Sequence, residues 1–153
     1  MNRRALIKGA VAGARVQNET VIALTGLIIP ATDTPGAKEA QVNRFIDLLL
    51  SESAPEAQRR FLQGLAWLDG HAMRQHGAPF VKCSKEQQTA MLESLDPDRK
   101  PADNLRPGAA FFRGIKRRTV SGYYSSKIGY AELNKGGVPS TYGCQHETHS
   151  ENN

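Results

Sequence analysis

The sequence predicts an all-α fold: a compact bundle of about five helices with a loop-rich C-terminal end. Three observations predict it. Apolar residues recur at helical spacing, most cleanly Val42, Phe45, Ile46, Leu49 and Leu50 at i, i+3, i+4, i+7 and i+8. Helix stop and start signals stand between such stretches, including Pro30, Gly77 and two Ser-x-x-Glu/Gln boxes. No run of alternating apolar and polar residues reads as a strand, and no internal repeat is visible.

The first helix is expected over residues 19–29, with Asn18 as N-cap and Pro30 enforcing the end. Val21, Ile22, Leu24, Leu27, Ile28 and Ile29 cover more than one stripe, as in a deeply buried helix. Residues 28–37 then hold a helix stop, a polar turn and a restart. Pro30 and Pro35 lack an N–H and crowd the preceding turn, Asp33 and Thr34 are suited to bonding nearby amides, and Gly36 permits a positive φ. A helix–helix connector is the plainest reading of this stretch.

The second helix is expected over 39–50. Ser53-Ala54-Pro55-Glu56 reads as a capping box for a long helix carrying Phe61, Leu62, Leu65, Leu68 and Ala72 and stopping near Gly77. Trp67 lies off that stripe and packs either a second helix or an interface, with core packing favoured. Ser84-Lys85-Glu86-Gln87 repeats the box for a shorter helix holding Met91, Leu92 and Leu95. Residues 96–108, rich in Pro, Asp and Gly, read as an exposed connection. The last long helix starts near Pro107 and passes Phe111, Phe112, Ile115, Thr119 and Tyr123. A short helical turn follows at 130–133, then a turn at Gly136-Gly137-Val138-Pro139.

A chain of 153 residues suits one domain burying roughly two thirds of its unfolded surface. The net charge of +5 is concentrated. Arg3, Arg4, Lys8 and Arg15 fall among residues 1–18, which hold no acid, leaving 16 basic and 15 acidic residues in the remainder. That near-neutral remainder argues against a nucleic-acid partner. One local run survives, Arg113, Lys116, Arg117 and Arg118; a solvated helix face is favoured over a groove for an acidic partner.

Chemistry-bearing patterns are sparse. His146 and His149 in a polar tail are three apart, one short of the four that a zinc-protease helix requires. His71 and His76 sit at a helix end, where positive charge suits the dipole. Neither cysteine starts a heme-attachment motif, and Gly9-Ala10-Val11-Ala12-Gly13 has the wrong spacing for a dinucleotide loop. Catalytic, cofactor-binding and metal residues are therefore expected to be absent from this chain, and no stretch has the roughly 18 apolar residues of a membrane span.

A second cluster, Gly122-Tyr123-Tyr124-Ser125-Ser126-Lys127-Ile128-Gly129, changes the weight of the first. Read in order with Ile29-Pro30-Ala31-Thr32-Asp33-Thr34-Pro35-Gly36-Ala37, Phe45-Ile46-Asp47-Leu48, Phe61, Gly64, Leu65, Ser84-Lys85-Glu86-Gln87-Gln88, Phe111-Phe112, Lys116 and Tyr142-Gly143-Cys144, it resembles the gluconate 2-dehydrogenase subunit 3 family. The resemblance implies a small accessory subunit of a flavoprotein complex. Its partner would be an FAD-bearing large subunit of the glucose–methanol–choline (GMC) type that oxidises a sugar or sugar acid. A cytochrome c subunit carrying heme c commonly accepts the electrons, and the small subunit assists assembly, export or stability. Carried onto this chain, Pro30, Thr32, Asp33, Thr34, Pro35, Gly36, Gly122, Tyr123, Tyr124, Ser125, Ser126 and Gly129 become candidates for shaping the docking surface, with Tyr123 and Tyr124 as anchors. Preservation of backbone geometry is the competing account of these residues.

The resemblance divides the chain into a twin-arginine-like segment at 1–18, a helical domain at 19–144 and a polar tail at 145–153. Arg3, Arg4 and Lys8 suit a twin-arginine export signal, but Arg15 interrupts the apolar run after six residues, so the segment reads as a shortened or unusual signal, with a chance match as the alternative. A periplasmic location follows as the expectation. In that compartment Cys83 and Cys144 become a candidate disulfide, worth about 3–4 kcal/mol by chain entropy, with two independent thiols as the other reading. A stand-alone helical ligand-binding or scaffold protein is the rival to the subunit reading.

Overall fold

The computed structural model describes residues 17–136. Among them are six α-helices and no strand, as the sequence predicts for fold class. Helix α1 covers residues 17–28, α2 Val42–Ser51, α3 Pro55–His76, α4 Lys85–Ser94, α5 Arg106–Tyr124 and α6 Lys127–Leu133. Short 3-10 turns at Phe80–Lys82, Pro97–Arg99, Asp103–Leu105 and Asn134–Gly136 complete the path. The segment carrying Arg3 and Arg4, and the tail carrying Cys144, His146 and His149, lie outside the described residues.

Helix α5 is the hub, packing against α2, α3 and α6. Its inward residues Phe112, Ile115 and Tyr123 join Leu24 of α1, Val42 and Ile46 of α2, and Phe61, Leu65 and Leu68 of α3 in one core. Phe80 plugs that core from the turn after α3. Two polar groups hold it there: the Asp69 carboxylate accepts the Phe80 N–H at 3.0 Å, and the buried Gln88 amide donates to the Phe80 carbonyl at 2.8 Å. Both bonds satisfy backbone groups that burial would otherwise leave unpaired.

Local signals hold where one residue decides the geometry. Helix α3 stops at Gly77, whose φ of 70° closes a bond from its N–H to the Met73 carbonyl. At Ser84 the full capping box forms: the hydroxyl accepts the Gln87 N–H while the Gln87 side chain accepts the Ser84 N–H. Pro107 occupies the first turn of α5, where no N–H is needed.

Other expectations are corrected. Asn18 lies within α1 rather than capping it, and its side-chain oxygen accepts from the Asn43 amide at 3.0 Å. Helix α2 begins at Val42, not residue 39, because residues 37–41 form a turn closed by the Val42 N–H on the Ala37 carbonyl. The box at residues 53–56 does not form. Ala54 is the N-cap of α3, and the Ser53 hydroxyl turns back to the Leu49 carbonyl at 2.6 Å. Gln58 then donates to the carbonyls of Leu50 and Ser53, stitching the corner from the α3 side. Leu62 and Leu49 are exposed, so the apolar stripes of α2 and α3 are narrower than their sequences suggest.

Cys83 bears a free, half-buried thiol pointed at the carbonyls of Ala78 and Pro79, 3.6 and 3.5 Å away. No helix among the described residues is long and apolar enough to cross a membrane.

Candidate functional site

The two motif clusters, remote in sequence, meet in space. Tyr123, near the end of α5, donates its hydroxyl to the Pro35 carbonyl at 2.7 Å, across 88 positions of sequence. The ring is buried at 3% exposure and belongs to the core. Tyr123 is thus a strut that fixes the connector from within, which corrects its expected role as a surface anchor. Tyr124 remains 40% exposed, its ring edge-on to that of Tyr123 at 5.2 Å.

The connector between α1 and α2 is built from backbone bonds. The Ala37 N–H reaches back to the Ile29 carbonyl at 2.9 Å, and the Thr32 N–H bonds the Thr34 carbonyl at 3.0 Å. Neither Asp33 nor Thr34 supplies the expected side-chain bond. The Gly36 amide is taken instead by the Glu39 carboxylate at 2.9 Å. Gly36 is required for space: a Cβ there would stand 2.5 Å from the Ala31 nitrogen and 2.6 Å from the Ile29 oxygen, both backbone atoms that cannot yield. Pro30, Thr32, Asp33 and Pro35 project outward from this frame.

The second cluster folds as a tight corner. Ser126 caps α6, its hydroxyl accepting the Gly129 N–H at 3.1 Å and donating to the Tyr123 carbonyl at 2.6 Å. That cap starts α6 at Lys127, three residues before the sequence reading placed it. Gly129 sits so close to the Tyr123 carbonyl that a methyl group would collide with it. Gly122 faces Phe45 and Val42 of α2. Ser125 and Tyr124 lie at the exposed outer side of the corner. Beyond them, Val120 and Tyr124 share a face of α5, and Tyr130 and Leu133 share a face of α6, all four exposed.

Titratable chemistry is scant here. Among the described residues no group of three or more His, Cys, Asp or Glu side chains is placed to hold a metal ion. His71 is buried at 6% exposure, stacked on Trp67 at 4.9 Å and 10°, with its Nε2 lacking a hydrogen-bond partner. Burial first, then the charges of Arg74 and His76, push its pKa below the ordinary value of 6.5. Burial, aided by the Asp69 carboxylate, pushes the Cys83 thiol up, so it resists ionisation.

Sequence reasoning missed a cleft of about 500 Å³ between α3 and α5. Its floor is Phe61, Gly64 and Phe111, its wall Trp67, and its rim Arg60 and Arg118. Glycines within helices were the available signal, since each weakens a helix by about 1 kcal/mol relative to Ala. Gly64 accepts the Phe111 ring and Gly108 the Trp67 ring, which places Trp67 between helices as the sequence favoured.

A family model described as Gluconate 2-dehydrogenase subunit 3 matches residues 15–137 of this chain. No curated protein and no solved structure matches it.

Proposed function

Because the chain belongs to the gluconate 2-dehydrogenase subunit 3 family, we propose that it is a non-catalytic small subunit of a periplasmic, FAD-dependent sugar or sugar-acid dehydrogenase. In this reading it assists assembly, stability or export of a GMC-type large subunit that holds the flavin and performs the oxidation. A cytochrome c subunit then carries the electrons onward. The bond from Tyr123 to the Pro35 carbonyl is the observation that best supports the reading. It joins two sequence clusters into one rigid ledge from which Thr32, Asp33, Tyr124 and Ser125 project. Rigid, pre-ordered ledges favour protein docking because little entropy is lost when a partner settles on them.

The periplasmic part of the proposal rests on Arg3, Arg4 and Lys8. If the twin-arginine route is used, a folded, flavin-loaded partner can cross with this chain.

Deleting the chain from cells that express the flavin-bearing subunit tests the proposal. The expected result is at least a tenfold fall in FAD-loaded dehydrogenase recovered from the periplasm. An undiminished yield of active, flavin-loaded enzyme overturns it.

A further inference from the structure

The cleft between α3 and α5 does not end at its own walls. A second depression of about 510 Å³, lined by Phe45, Leu49, Arg117 and Ser121, shares Gly114 and Arg118 with it. Together the two depressions follow α5 from Pro107 to Ser121, about 21 Å at 1.5 Å per residue, and form a trough that the Arg118 side chain crosses over Gly114 where they meet. Compact ligands bind in enclosed pockets, whereas an elongated open trough between helices suits a segment of another polypeptide.

Its charge is one-sided. Arg60, Arg117 and Arg118 line it and no carboxylate does. Nor do these arginines find acidic partners elsewhere among the described residues, where the ion pairs use Arg59, Arg99, Lys116, Arg106 and Lys135. The basic run of α5 therefore divides: Lys116 turns to Asp96 at 3.6 Å, while Arg118 turns into the trough. Arg118 lies over Gly114 and the Phe61 ring, 5.8 Å from its centroid, and its Nε is buried without a hydrogen-bond partner. A guanidinium held in place by burial over an aromatic ring is partly pre-ordered to meet a carboxylate and forfeits less entropy in doing so.

We propose that this trough docks an acidic, amphipathic segment of the partner polypeptide, apolar side chains resting on Phe61, Trp67 and Phe111 and carboxylates meeting Arg60 and Arg118. This rests on the subunit reading and adds to it a second contact surface, separate from the Tyr123 ledge, together with the chemistry that the partner must present.

The test is titration of the full chain and its variants with the FAD-loaded large subunit that the subunit reading assigns as its partner, at low and high salt. Arg60→Glu with Arg118→Glu is expected to weaken binding at least thirtyfold and to abolish its salt dependence. Ala110→Glu, at an exposed position on the trough's edge, is expected to weaken it about tenfold while the thermal melt stays within a few degrees of wild type. Lys85→Glu on α4 serves as the unaffected control. Folded variants that bind like wild type overturn the trough and leave the subunit reading standing. A wild-type chain that captures no flavoprotein overturns both. Binding of a labelled DNA duplex that the same variants abolish, with flavoprotein affinity unchanged, reassigns the trough to nucleic acid and overturns the proposal.

Discussion

Tyr123 separates two effects that burial and hydrogen bonding usually blend. Tyr123→Phe keeps the ring and removes only the bond to Pro35, so it should destabilise by about 1 kcal/mol. Tyr123→Ala also empties a core position and should lose about 3–5 kcal/mol in denaturant melts. His71 provides a pH handle. Its folded pKa lies below the unfolded 6.5, so the unfolded chain binds the proton first as pH falls. Its contribution is therefore intact above about pH 6.5 and lost as pH drops from there through the folded value. His71→Phe, which keeps a ring against Trp67, should flatten that part of a plot of Tm against pH; an unchanged slope rules the assignment out.

Single elements were legible where one residue dictates backbone geometry. Pro30 ends α1, Gly77 ends α3, and the Ser84 box opens α4, because each signal acts within one turn of chain. Ser84→Ala should accordingly lower stability by about 1 kcal/mol, read from the urea midpoint at unchanged m-value. The Ser53 signal failed for an equally local reason: α2 ends within two residues of it, and the Leu49 carbonyl competes for the hydroxyl. Asn18 failed as a cap for a different reason: α1 already includes it, and its side chain meets the Asn43 side-chain amide of α2. Where a side chain has two backbone ends within reach, sequence spacing alone does not choose between them.

At the scale of the molecule, fold class followed from apolar periodicity and from the absence of alternating strands. The site was half legible: both clusters were marked, but their meeting depends on a side-chain bond spanning 88 positions. Periodicity reports which face of a helix is buried and not which distant carbonyl its hydroxyl finds. The core that joins α1 through α5 is continuous, so unfolding should be a single transition. Trp67, the one tryptophan, reports the α3–α5 contact; its fluorescence and the far-ultraviolet circular dichroism should change together with denaturant. Separated midpoints would mean that these helices part company before the rest.

Hydrogen atoms, not methyls, set the relief between the two longest helices. Position 64 gives up its side chain so that the Phe111 ring can lie down, and position 108 does the same for Trp67. An alanine at 64 would collide with the Phe111 ring, so that ring would have to move and the floor of the cleft change shape. The contour of this face is therefore set by the absence of a single carbon atom.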